Sequence, residues 1–127
     1  MRKTPPRPTA AELEILRALW ALGPSTVRDV HEALRERRVG YTTVLKLLQI
    51  MAEKGLVKRD ESQRAHVYET QVAQEQTERQ LVRDLVDRAF GGSAARLVMQ
   101  ALSSRKSTPE ELVKIRRLLD ELEGEGQ

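Results

Sequence analysis

The side chains best suited to molecular recognition lie close together, between residues 41 and 51. Four apolar residues recur there at the spacing of one helical face: Val44, Leu47, Leu48 and Met51. The opposite face of such a helix carries Thr42, Thr43, Leu45, Lys46 and Gln49. Thr and Gln exchange hydrogen bonds with base edges, Leu packs on a thymine methyl group, and Lys reaches guanine or phosphate. We therefore expect Thr42, Thr43, Lys46 and Leu45 to contact DNA bases, the alternative being a merely solvated helix surface.

Groups that could bind the phosphate backbone flank this helix. Ser25 and Thr26 stand at the start of the preceding predicted helix, with Ser25 as its expected cap. The sequence further predicts phosphate contacts from Tyr41, from Arg64 at the tip of a predicted hairpin, and from Arg7. Arg7 belongs to residues 1–8, which we interpret as a flexible, basic, proline-rich arm.

The charge of the chain is distributed as DNA binding requires. Residues 1–70 hold 13 Lys and Arg against 9 Asp and Glu, whereas residues 71–127 hold 9 against 10. Each cation that neutralises a phosphate releases condensed counterions, so an excess confined to one region favours a nucleic-acid partner. An ordinary solvated surface remains the alternative.

Other classes of function find little support. The chain has no cysteine, which excludes disulfides, thiolate metal sites and a cysteine nucleophile. His31 and His66 have no partners at metal-ligand spacing, and Gly91 and Gly92 follow a helix rather than the strand of a nucleotide-binding loop. We expect no enzyme activity, no metal and no cofactor. No apolar run approaches the roughly 20 residues of a membrane span, so a cytoplasmic location is expected.

Three helices and a hairpin must position the recognition residues. The first helix begins with a capping box from Thr9 to Glu12, and the third ends at Gly55. Residues 56–59 and 65–70 alternate like two strands around a polar turn. A mainly α protein is therefore predicted, with a winged helix-turn-helix domain over residues 9–72.

A second helical region, residues 73–124, follows the predicted winged helix. A helix from Gln74 ends at Gly91, Ser93 caps the next, and Thr108 caps the last with Glu111. Their apolar stripes either fold back on the first domain or pair two copies, and a two-fold dimer is the commonest closed symmetry. The predicted dimer interface comprises Leu81, Leu85, Phe90, Leu97, Leu112, Ile115 and Leu119.

Three segments give the chain a family resemblance: TAAELEILRALW, YTTVLKLLQIMAEKGLVKR and RAHVYE. With their spacing, which spans nearly the whole chain, they resemble the penicillinase and methicillin-resistance repressors. The resemblance implies a homodimeric repressor that binds a palindromic operator, with base contacts at Thr42, Thr43 and Lys46. Thr42 stands where some members have lysine.

The resemblance also suggests how such a repressor is released. Well-known members are cleaved at an Asn-Phe bond in the second C-terminal helix after a membrane-bound sensor protease is activated. That place holds Gln100 and Ala101 here. The chain is then uncut, cut by a regulatory protease of different preference, or controlled in another way. The absence of cysteine excludes the thiolate copper sensing of some relatives.

A protein-binding module is the main alternative in another class. Winged helices can dock proteins with the same surface, and the C-terminal stripes would suit a partner helix. Salt dependence separates the two interpretations, because DNA affinity falls steeply as salt rises when several phosphates are contacted.

Overall fold

The computed structural model describes residues 7–125, which form six α-helices, a short 3-10 helix (Arg35–Arg37) and three short strands. The helices are α1 (Ala10–Leu22), α2 (Val27–Ala33), α3 (Tyr41–Lys54), α4 (Gln74–Ala89), α5 (Ala94–Ser104) and α6 (Pro109–Glu125). The strands are β1 (Ser25–Thr26), β2 (Val57–Asp60) and β3 (Val67–Thr70). Most of the predicted arm at residues 1–8 lies outside the described residues.

The start of α1 is fixed by the predicted capping box. The Thr9 backbone N–H donates to Glu12 Oε1 at 2.9 Å, and the Glu12 N–H donates to Thr9 Oγ1 at 3.1 Å. Lys54 Nζ, at the end of α3, also donates to both Glu12 oxygens, at 2.8 and 2.9 Å. Burial alone would raise the pKa of Glu12, but the hydrogen bonds from Lys54 and Thr9 lower it below its ordinary value. One buried carboxylate thus joins the beginning of α1 to the end of α3.

The cap of α2 differs from the prediction. Thr26, not Ser25, accepts the hydrogen bond from the Asp29 N–H at 3.1 Å, and Asp29 returns one to the Thr26 N–H. Ser25 is buried, and its hydroxyl donates to the Gly23 carbonyl at 2.8 Å. The capping box favours Thr26 because its acidic partner stands three residues later.

The predicted hairpin is present, but it is part of a three-stranded antiparallel sheet. The strand order is β1-β3-β2, so that Tyr68 in the central strand lies opposite both Ser25 and Arg59. The two-residue β1 has no alternation that a sequence pattern could reveal. Its pairing with β3 connects the hairpin to the start of α2.

A single aliphatic core holds the three helices and the sheet together. Thirteen buried apolar side chains form it: Ile15, Leu16, Leu19, Val27, Val30, Leu34, Val44, Leu48, Met51, Leu56, Val57, Tyr68 and Val72. Trp20 closes one edge, since its Nε1–H donates to the Val72 carbonyl at 3.0 Å. Gly55, with φ of +86°, makes the turn from α3 into β2 that an L side chain would resist.

The chain divides into two compact units within α4, between Leu81 and Val82. The second unit contains the rest of α4 together with α5 and α6, whose predicted caps are confirmed. Ser93 Oγ accepts from the Arg96 N–H at 3.2 Å, and Thr108 and Glu111 form a capping box. From Val82 to Glu125 no residue is buried.

Candidate nucleic-acid interface

Helix α3 presents a narrow polar face to solvent. Val44, Leu48 and Met51 are completely buried, while Thr42, Lys46 and Gln49 lie on the opposite side and are exposed. Glu53 continues the same face toward the end of the helix. A carboxylate there repels phosphates, so the surface suited to DNA is the part of α3 that precedes Glu53, from residue 42 to residue 49.

The other two predicted base-contacting residues lie on the flanks of this face. Leu45, predicted to face outward, is half-buried and packs against the core, because its position turns it toward the groove beside the sheet. Thr43 is exposed on the other flank, next to a small apolar cleft that includes Ile15 and Leu47. Leu47, predicted to be in the core, is half-buried there.

A groove runs between the start of α2, the start of α3 and the hairpin. It brings together Thr26, Tyr41 and Arg64, three of the residues predicted to contact phosphate. Arg28 and His66 line the same groove and were missed by the sequence analysis. Arg28 could have been found, because it is the second residue of α2, two positions after the capping Thr26. His66 depends on the path of the hairpin loop, which the sequence pattern does not determine.

Two predicted phosphate-binding residues are placed differently. The Ser25 side chain is buried and its hydroxyl is used within the protein, so it does not reach the surface of the groove. Arg7 is exposed and precedes α1.

Local hydrogen bonds shape the hairpin that carries Arg64. The Ser62 N–H donates to Asp60 Oδ1 at 2.9 Å, and this bond lowers the pKa of the Asp60 carboxyl. Arg59 interacts with the Tyr68 hydroxyl and, at 2.6 Å, with Glu61 Oε2, and these contacts raise the pKa of its guanidinium. The loop therefore begins from a structured turn at its β2 end.

The predicted interface residues of the second unit differ in exposure. Leu85 and Leu119 are about half exposed, whereas Phe90, Leu97, Leu112 and Ile115 are partly covered within the chain. Leu81, also partly covered, belongs to the first unit. Seven further exposed apolar residues of this unit lie outside the predicted interface: Val82, Val98, Met99, Leu102, Val113, Leu118 and Leu122.

Gln100 and Ala101, the positions matched to the cleavage site of the family, are exposed in the middle of α5. The Ala101 carbonyl accepts a backbone hydrogen bond from Arg105 at 3.2 Å. The peptide bond between them is thus part of a regular helix.

Comparison with known proteins agrees with this architecture. A model of the penicillinase repressor family matches residues 8–121. This chain belongs to the penicillinase repressor family. It is 34% identical over 114 residues to the transcriptional regulator BlaI of Mycobacterium tuberculosis, a match that covers 88% of this chain and 82% of that protein. The family assignment made from the sequence is confirmed, and the chain is a transcriptional repressor rather than an enzyme.

The fold also resembles solved structures. The monomeric form of Bacillus licheniformis BlaI, solved in complex with the blaP half-operator, matches with a TM-score of 0.51 and 21% identity, covering 59% of this chain and 93% of that one. Lactococcus lactis ZitR matches with a TM-score of 0.45 and 22% identity, covering 100% of this chain and 81% of that one. The match to Bacillus licheniformis BlaI confirms the predicted winged-helix fold. No helix between residues 7 and 125 is long and apolar enough to cross a membrane.

Proposed function

We propose that this repressor reads operator DNA with the exposed face of α3 between residues 42 and 49. The observation that carries the proposal is the exposed face of Thr42, Lys46 and Gln49, directly opposite the fully buried Val44 and Leu48. Lys46 donates to guanine or to a phosphate, and Thr42 and Gln49 exchange hydrogen bonds with base edges. Thr43 and the exposed part of Leu45 contact the bases that border this face. Double-stranded operator DNA is therefore the partner, and the cytoplasm is where the chain acts.

The groove beside α3 binds the sugar-phosphate backbone of the same half-site. Thr26, Tyr41 and Arg64 supply the contacts expected from the sequence, and Arg28 adds a second guanidinium. Contacts of this kind fix the register of the protein on the duplex without reading its sequence. Ser25 is excluded from this set because its hydroxyl is buried, and Arg7 remains in it as a contact that precedes α1.

Two copies pair through the second unit and bind a palindromic operator. The support is the absence of any buried residue from Val82 to Glu125, together with nine exposed large apolar residues in that range. Apolar surface of that extent is costly to leave in water, and a second copy supplies a matching surface by symmetry. Linking two half-site contacts raises operator affinity through effective concentration.

Release by proteolysis would require local unfolding of α5. Gln100 and Ala101 are accessible, but a protease binds its substrate as an extended segment and this peptide bond lies inside a helix. A regulatory protease would act on the fraction of molecules in which α5 has opened. Gln100→Pro opens α5 and tests this mechanism. If the repressor is controlled in another way, this substitution should leave its intracellular lifetime unchanged under inducing conditions.

Salt titration with matched variants tests the proposal. Lys46→Ala removes one cation from the reading face, so affinity for the duplex fragment that the unmodified protein protects should fall about tenfold. Lys114→Ala makes the same charge change on an exposed position of α6 and should leave that affinity unchanged. If both variants bind the fragment with equal affinity, α3 is not the helix that reads the operator. A flat salt response in the unmodified protein would instead favour the protein-binding alternative.

A further inference from the structure

The start of α3 lacks the side-chain cap that is present at the start of α1, α2, α5 and α6. Thr9, Thr26, Ser93 and Thr108 each accept a backbone hydrogen bond at the start of α1, α2, α5 and α6. Gly40 occupies the corresponding position of α3 and has no side chain to do so. The helix that reads DNA in the proposed function is therefore the one of these five whose first turn has no side-chain cap.

A ring contact lies at this uncapped position. The His31 imidazole, on α2, meets the ring of Tyr41, the first residue of α3, with 5.8 Å between ring centroids and 77° between ring planes. This edge-to-face arrangement is the favoured geometry of aromatic pairs. His31 is partly buried, whereas Tyr41 is 47% exposed and lines the groove with Arg28 and Arg64.

We propose that His31 is a positioning residue for operator binding, acting through Tyr41. The ring contact holds the first turn of α3 against α2 and directs the Tyr41 side chain into the groove, and so replaces the missing cap. Thr42 follows Tyr41 directly, so any freedom in this turn would displace the first base-contacting residue as well. The proposal rests on α3 being the reader, and it adds a residue that itself touches neither base nor phosphate.

The contact is first tested in the free protein by amide hydrogen exchange. His31→Ala should accelerate exchange at the amides of Val44 and Leu45, in the first turn of α3, by roughly two- to tenfold, the range that one aromatic pair contributes. His31→Phe keeps an edge-to-face ring and should restore slow exchange. Equal exchange in all three proteins, or a His31→Phe variant as fast as His31→Ala, would overturn the proposal.

The functional consequence is tested with the duplex fragment that the unmodified protein protects. His31→Ala should weaken binding by roughly two- to tenfold and His31→Phe should restore it. Because His31 contacts no phosphate, the salt slope of His31→Ala should stay unchanged, whereas Arg28→Ala should reduce its magnitude by about one. In the Tyr41→Ala background, His31→Ala should have no further effect, since their shared contact is already lost.

These measurements distinguish failure of the proposed DNA-binding function from failure of the positioning role of His31. If the unmodified protein protects no fragment, the proposed function fails, while the exchange data still decide whether His31 holds α3. If it does protect one and His31→Ala binds as tightly as the unmodified protein, or if the two substitutions are additive, the positioning role fails alone. Thermal unfolding of each variant distinguishes a local effect from general destabilisation.

Discussion

The two units of this chain contain apolar stripes of similar helical spacing, but only the first unit buries them. Up to Leu81, thirteen apolar side chains form a closed core. From Val82 onward, nine large apolar residues are exposed and none is buried. A stripe in a sequence therefore predicts that a helix face will be covered, but it does not say whether the cover comes from the same chain. In our proposal the second unit is covered by another copy.

The largest expected effect comes from placing a charge in the second unit. Leu119→Asp buries one unpaired carboxylate per protomer of the dimer, at a cost of about 3 kcal/mol each or more. The dimer should dissociate, operator affinity should fall with it, and the helices should remain folded. Sedimentation equilibrium measures the change.

Lys114→Asp, on the polar side of α6, is the matched control for this substitution and should sediment as the unmodified protein does. If Leu119→Asp remains dimeric at the same concentrations, this face of α6 does not form the interface.

The next largest effect contrasts two leucines in α1. Leu16 is fully buried, and its replacement by Ala should lower the free energy of unfolding by about 2–5 kcal/mol through lost burial and a cavity. Leu22 is 53% exposed, and Leu22→Ala should change it by no more than about 0.5 kcal/mol. Urea denaturation followed by the fluorescence of Trp20 compares them. Equal losses would contradict the burial described for the first unit.

An intermediate effect comes from the ion pair between Glu12 and Lys54. Lys54→Met leaves a buried carboxylate without its cation, which should cost about 1–3 kcal/mol at pH 7, reduced by the partial exposure of Lys54. The folded state lowers the pKa of Glu12, so the stability it contributes is present above about pH 4.3, the ordinary value for Glu, and is lost as pH falls through the lower, folded pKa.

The stability difference between Lys54→Met and the unmodified protein should therefore shrink when the pH falls from 7 to about 3. Chemical denaturation at the two pH values measures it. A difference that stays constant would show that lost packing, and not the charge pair, causes the destabilisation.

The smallest effect concerns the uncapped start of α3. Gly40 has φ of −73° and ψ of 156°, the backbone conformation of an N-cap, and no atom lies within 4 Å of the Cβ that another residue would add. Gly40→Ser supplies a hydroxyl there and should raise the free energy of unfolding by a few tenths of a kcal/mol. Gly40→Ala adds a Cβ without a hydroxyl and should not reproduce the gain. If the free energy of unfolding is lower for Gly40→Ser than for Gly40→Ala, a side-chain cap does not stabilise this turn.

Features that depend on residues close together in the sequence were predicted, whereas features that depend on residues far apart in the sequence were missed. The capping boxes at Thr9 and Thr108, the buried stripe of α3 and the end of α4 before Gly91 all depend on residues within a few positions of each other. The sequence analysis missed the bond between Glu12 and Lys54, 42 residues apart, and the pairing of β1 with β3. Both depend on how separate elements meet, and no local pattern encodes that.

The same division holds for the candidate site. Thr42 and Lys46 lie on the exposed face that helical periodicity predicted. Ser25 was misplaced because its burial is caused by the sheet, and Leu45 is half-buried because it faces the groove between α3 and the hairpin. His66 entered the site only when the structure showed the path of the hairpin loop beside α2 and α3.

In our proposal, two copies of this winged helix read the two halves of one operator. Footprinting the purified protein on DNA from upstream of its own gene, with random duplex as competitor, tests it most directly. If two copies bind one operator, the protected region should be a palindrome whose half-sites lie about one helical turn apart or a multiple of it. Equal, weak binding to every fragment at physiological salt, or protection of a single unrepeated half-site, would contradict it.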